Sequence, residues 1–142
     1  MSIEANQPIL IVEDNDDDVF FIRRAFEKAG VRNPLLRVKN GAEAIAYLNG
    51  DPPFKNRSEH PLPGLVLLDV SMPVTGGFEV LQWIRHQIRF AQLRVIMLTG
   101  SDGTREANAA YAQGANSFKV KPLDFIAAAE VARSIEPRLP NG

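Results

Sequence analysis

The sequence predicts an α/β protein built on a doubly wound parallel sheet. Three observations point there. Short, uninterrupted apolar runs recur along the chain, separated by segments whose apolar residues fall at helical spacing. Strand and helix patterns alternate five times, as in a parallel sheet covered on both faces. Four of the runs end on groups suited to phosphate or metal chemistry: Glu13-Asp14, Asp69, Thr99 and Lys121.

Pro8 to Val12 is short and β-branched, which suits a strand covered on both faces. Asn15 then caps a helix with Asp16 and Asp17 in its first turn, Val19, Ile22, Phe26 and Ala29 as its stripe, and Gly30 as its stop. Leu35 to Val38 reads as a second strand, and Asn40 to Asn49 as an Ala-rich helix closed by Gly50. Asp51 to Pro63 carries four prolines among polar residues and reads as a loop. Leu65 to Leu68 is the third strand, ending at Asp69. A turn with Pro73, Gly76 and Gly77 leads into a helix with Phe78, Leu81, Ile84 and Ile88 inward. Arg94 to Leu98 is the fourth strand, ending at Thr99-Gly100. Asp102 to Gln113 is a helix with a weak stripe of Ala107, Ala110 and Tyr111. Ala115 to Val120 is the fifth strand, followed by Lys121-Pro122, and the last helix runs from Leu123 to about Ile135. Right-handed crossovers leave few topologies for five such units, and the flavodoxin-like order 2-1-3-4-5 suits them.

The chain has 142 residues, which corresponds to a single domain, 1–142, with its core at about 8–135. It is 45% apolar and 23% charged, and 16 basic residues nearly balance 17 acidic ones. That balance excludes a polybasic nucleic-acid arm and an acidic disordered tail. With no cysteine there is no disulfide framework, thiolate zinc site or thiol nucleophile. No secretory signal and no membrane-length apolar run is seen, so a cytoplasmic protein is expected.

In doubly wound sheets the site lies beyond the carboxyl ends of the strands. Whole strand–helix units separate the four polar endings, so all four can share one sheet edge. Singly, each has an ordinary explanation: Glu13 and Asp14 as helix N-terminal acids, Asp69 in an Asx-type turn, Thr99 as a loop hydroxyl, Lys121 as a solvated charge. Together they fit carboxylate phosphorylation. Clustered carboxylates repel unless a cation joins them, and Mg²⁺ prefers carboxylate and water oxygens. Asp69, at the end of a central strand, is the candidate nucleophile; Glu13 and Asp14 are the metal acids, Lys121 a second positive charge, and Thr99 a donor to the phosphoryl group.

At these residues the sequence resembles the receiver domain of two-component response regulators. The matching pieces are ILIVEDNDDD at 9–18, LVLLDVSMPVTGG at 65–77, VIMLTG at 95–100 and GANSFKVKP at 114–122. The resemblance implies that Asp69 takes a phosphoryl group from a histidine kinase or a phosphotransfer protein. It implies Mg²⁺ on Glu13, Asp14, Asp69 and the backbone carbonyl of Ser71, with Thr99 and Lys121 on the phosphoryl oxygens. It further implies a cis bond before Pro122 and a switch in which Phe118 moves inward as Thr99 shifts towards phosphate. Such a protein is not an enzyme beyond its own phosphorylation and dephosphorylation. Few residues follow Ile135, so a stand-alone regulator without a DNA-binding domain is expected, acting on a downstream protein. The segment FFIRRAFEKAG, the run Asn40 to Ala44 and the proline-rich loop are similar to regulators paired with phytochrome-type and other sensor kinases. Relatives of that kind can dimerise through the fourth and fifth helices and the fifth strand. Ser71 and Ser101, two positions after Asp69 and Thr99, would leave water access to the phosphoryl group.

Two other readings stand beside this one. A haloacid-dehalogenase-type phosphatase also uses an aspartate and Mg²⁺, but places a second Asp where this chain has Ser71. A phosphorylation-independent interaction module usually lacks one of the acids, the nucleophile or the lysine, and all are present here. Asp14, Asp16 and Asp18 mimic an EF-hand start, but Val19 replaces the glycine and Ala25 the closing glutamate. His60 and His86 are read as solvated surface residues.

Overall fold

A computed structural model describes residues 3–4, 6–72, 75–100, 104–121, 124–133 and 135–136. Five strands form one parallel sheet: β1 (Ile9–Val12), β2 (Leu35–Val38), β3 (Leu65–Asp69), β4 (Arg94–Thr99) and β5 (Ser117–Val120). Their order is β2-β1-β3-β4-β5, the expected 2-1-3-4-5. Among the described residues four helices connect them and a fifth follows β5: α1 (Asp16–Lys28), α2 (Gly41–Asn49), α3 (Gly77–His86), α4 (Thr104–Ala112) and α5 (Phe125–Arg133).

Alternation along the strands splits the core in two. Leu10, Val12, Val66, Leu68, Val95 and Met97 pack with residues of α2 and α3 on one face. Ile9, Ile11, Leu65, Leu67, Ile96 and Leu98 pack with α1 and α5 on the other. Both faces are therefore dry, which explains strands without polar alternation. Within α1, Val19, Ile22 and Phe26 are buried as expected, and Ala25 joins them. Asn15 is its cap, with Oδ1 accepting from the Asp18 N–H at 2.9 Å.

Several expectations need correction. Helix α3 stops at His86, because Gln87 takes an extended conformation (φ −89°, ψ 119°) and a 3₁₀ turn, Ile88–Phe90, follows. Helical spacing therefore lapses before Ile88, which is 96% exposed, and Phe90 takes the buried place. In α4, Ala110 is buried but Tyr111 is exposed, so the stripe is narrower than expected. Strand β5 begins at Ser117 rather than Ala115, which is buried ahead of it. Helix α5 ends before Ile135, and Ile135–Glu136 instead pair in parallel with Ile3–Glu4.

The proline-rich loop is tied down rather than loose. Arg57 donates to the carbonyls of Tyr47, Leu48 and His60, the first two lying in the last turn of α2. The last carbonyls of a helix lack i+4 partners; the guanidinium supplies a donor to that of Leu48 and a second donor to that of Tyr47, which also accepts from the Gly50 N–H at 3.3 Å. Tyr47, Phe54 and His60 form a ring cluster with centroids 5.1 to 5.9 Å apart, and the Tyr47 hydroxyl donates to the Pro61 carbonyl. His60 is thus half-buried, contrary to the solvated role expected of it; His86 is exposed, as expected.

Gly77 fixes the approach of α3 to the end of β3. A β-carbon there would strike the carbonyl oxygen of Asp69 and come within 2.9 Å of Val70 Cα. Gly77→Ala is therefore expected to lower unfolding free energy by about 1–3 kcal/mol in urea titrations, the range of overpacked sites. Gly76→Ser, with no neighbour nearer than 3.8 Å and a new N-cap oxygen, should be neutral or stabilising.

Candidate functional site

Parallel register brings the four polar strand endings together. Val12 lies opposite Leu68, Asp69 opposite Leu98 and Thr99 opposite Val120, so Glu13, Asp69, Thr99 and Lys121 gather at one edge. Backbone bonds fix the ends: Lys121 N–H donates to the Thr99 carbonyl at 2.6 Å, and Val70 N–H to that of Leu98 at 2.7 Å. Arg37 Nε donates to the Glu13 carbonyl at 2.9 Å, and its Nη1 lies 2.8 Å from Asp16 Oδ1.

Glu13, Asp14 and Asp69 each offer a carboxylate oxygen, and the three oxygens lie within 4.8 Å of one another. Glu13 and Asp69 are each 1% exposed, whereas Asp14 faces solvent. An all-oxygen set of three carboxyl groups of this kind fits a hard divalent cation. Lys121 Nζ faces the buried pair, 3.0 Å from Glu13 Oε2 and 3.4 Å from Asp69 Oδ1. The Ser71 N–H donates to Asp69 Oδ1 at 3.2 Å, and Ser71 is exposed.

Burial sets the electrostatics. It pushes Glu13 from its ordinary 4.5 up to about 7, an effect that the Lys121 hydrogen bond opposes and the Asp69 charge reinforces. Asp69 is likewise raised by burial, against the pull of Lys121 and the Ser71 N–H. For Lys121, burial acts downward, but hydrogen bonds to Glu13 and Asp18 and the nearby carboxylate charges hold it above its ordinary value.

The structure therefore brings Glu13, Asp14, Asp69 and Lys121 together, with Thr99 buried at the same edge. Phe118 is half-buried on β5 and packs against the α2–α3 side of the core. Pro122, Ser101 and Pro73 lie outside the described residues. One contact escaped the sequence reading: Asp18 Oδ2 lies 3.1 Å from Lys121 Nζ. The sequence places Asp16 and Asp17 in a first turn and Asp18 only in a failed EF-hand pattern, yet Asp18 lies in that same first turn, close behind Asp14, a place from which it can reach the cluster.

Residues 9–132 match the response regulator receiver domain family. The chain belongs to that family. Response regulator Rcp1 of Synechocystis sp. is 28% identical over 138 residues, spanning 96% of this chain and 92% of Rcp1. The crystal structure of its Mn²⁺-bound form has a TM-score of 0.77 at 25% identity, covering 88% of this chain and 91% of that one. The bacteriophytochrome response regulator RtBRR has a TM-score of 0.83 at 32% identity, with 96% of this receiver chain and 83% of RtBRR covered. The phosphorylated cyanobacterial phytochrome response regulator RcpA has a TM-score of 0.76 at 26% identity, with 90% and 89% covered. Among the described residues of this receiver, no helix is long and apolar enough to cross a membrane.

A cation held by the Glu13, Asp14 and Asp69 carboxylates would require them ionised, so its binding would displace the proton that burial favours on Glu13. Without a cation, the stabilising contribution of Glu13 is full below about 4.5 and is lost as pH rises through about 7, since the folded state holds the proton more tightly than the unfolded chain. The rise in Tm caused by a fixed Mn²⁺ or Mg²⁺ concentration should therefore be larger at pH 8 than at pH 6, as thermal scans with and without the cation would read. Equal shifts at both pH values would contradict the proton linkage.

Proposed function

We propose that this receiver is a response regulator whose Asp69 accepts a phosphoryl group from the phosphohistidine of a sensor histidine kinase. The observation that carries the reading is the placing of Asp69: a buried carboxylate at a central strand end, inside a three-carboxylate cluster and 3.4 Å from an ammonium. Glu13, Asp14, Asp69 and the backbone carbonyl of Ser71 would hold Mg²⁺, which neutralises charge on the phosphoryl oxygens when bound. Asp69 Oδ attacks phosphorus as the P–N bond breaks, and the electron pair leaves on the imidazole nitrogen. Thr99 Oγ donates to a phosphoryl oxygen, and Lys121 exchanges a carboxylate oxygen for another. Water attack on phosphorus later returns Asp69 and inorganic phosphate.

The switch we infer runs through Thr99 and Phe118, the hydroxyl drawn towards phosphate and the ring following into the space behind it. The partner-binding surface changes with them. A kinase of the phytochrome class is supported by what RtBRR and RcpA are named for. Exposed Ser71, with its N–H turned to Asp69, stands where a phosphatase of the haloacid-dehalogenase type needs a second acid, which disfavours that reading.

Incubation with acetyl phosphate and Mg²⁺ should add one phosphoryl mass to the wild type and none to Asp69→Asn, read by intact-protein mass spectrometry. A phosphoryl adduct on Asp69→Asn would overturn the assignment. Lys121→Ala should keep its cation-induced rise in Tm, because the ammonium is not a ligand, yet lose the conformational response to phosphorylation.

A further inference from the structure

We infer that Asp18 is a positioning residue for Lys121, a carboxylate that competes with the phosphoryl group for the lysine ammonium; this rests on the phosphoacceptor reading above. Three carboxylates share the three N–H donors of Lys121 Nζ: Glu13 Oε2 at 3.0 Å, Asp18 Oδ2 at 3.1 Å and Asp69 Oδ1 at 3.4 Å. Their roles differ. Glu13 and Asp69 belong to the cluster whose oxygens fit a divalent cation, and Asp18 does not. Once Glu13 and Asp69 turn oxygens to a cation, Asp18 keeps an undivided hold on the ammonium.

The hold is built into the first turn of α1. The Asp18 N–H is anchored on Asn15 Oδ1 at 2.9 Å, so the residue sits at a fixed place three positions beyond the helix cap. Its side chain is one-third exposed, while that of Lys121 is 18% exposed. The contact therefore spans the rim of the site rather than its floor. A phosphoryl oxygen on Asp69 and Asp18 Oδ2 therefore draw on the same ammonium from opposite sides of the site.

Two consequences of opposite sign follow from removing this one charge. In the unphosphorylated protein, Asp18 adds negative potential and draws Lys121 away from Glu13 and Asp69, so it favours a cation in the cluster. In the phosphorylated protein it repels the phosphoryl group and withholds Lys121 from it. Asp18→Asn should therefore weaken Mg²⁺ binding and strengthen binding of a phosphoryl analogue, each by about threefold, the scale of a part-exposed ion pair. Loss of helix stability or a general loosening of the site would move both affinities the same way.

The test is a pair of titrations on the intact chain without a kinase. One measures Mg²⁺ alone by calorimetry; the other measures beryllofluoride at saturating Mg²⁺. Wild type, Asp18→Asn and Asp18→Glu are compared, the last keeping the charge on a longer arm. Opposite shifts in Asp18→Asn, with Asp18→Glu close to wild type, support the inference. Shifts in the same direction, no shift in Asp18→Asn, or an Asp18→Glu that behaves like Asp18→Asn would overturn it while wild-type beryllofluoride binding leaves the phosphoacceptor reading intact. Absence of beryllofluoride binding by wild type would overturn both.

Discussion

The ammonium of Lys121 is the contact on which the site depends. It reaches Glu13 across 108 residues of chain and Asp18 across 103, joining the last strand of the sheet to the first strand and first helix. Without it, buried Glu13 and Asp69 would face each other in a low dielectric with little to offset their repulsion. Even with it, burial leaves both carboxyls harder to ionise than usual. The site is thus held short of electrostatic balance, which a divalent cation among the carboxylates would restore.

That imbalance is tolerable because the platform beneath it is rigid. Twelve core residues from β1, β3 and β4 pack on the two faces of the sheet, and each strand is bonded along its length to its neighbours. Register then decides where the charges emerge. A slip of one residue would send Asp69 to the wrong level and turn every apolar side chain to the opposite face, where it would meet a different set of helices. Gly77 closes the arrangement by letting α3 come up against the Asp69 carbonyl. The same logic explains the proline-rich loop, whose Arg57 and aromatic cluster tie a long connection to the end of α2 without touching the site.

Most of the architecture was legible because both sheet faces are covered. A strand buried on both sides must be apolar throughout, and an amphipathic helix must repeat its stripe, so each leaves a periodic mark that needs no partner to be read. The acids at strand ends were legible for a related reason: they interrupt those runs at the point where the chain leaves the sheet. Element ends were less so. Ile88 keeps helical spacing in the sequence, but Gln87 turns the backbone and sends it to solvent. Ile135 looked like the close of a helix, and its pairing with Ile3 depends on the two ends of the chain lying side by side.

The sequence by itself determined the fold class, the strand order and the candidate acids, nucleophile, hydroxyl and lysine, since hydrophobic period and strand-end chemistry are local properties. Only the tertiary structure decided which charges share a proton donor. Asp18 reads in the sequence only as part of a failed EF-hand pattern, and its contact with Lys121 exists because parallel register and the angle of α1 bring distant residues within 3.1 Å. His60 likewise became a half-buried ring in an aromatic cluster because the loop folds back on Tyr47. Contacts of this kind depend on distances between elements, and a one-dimensional pattern carries none.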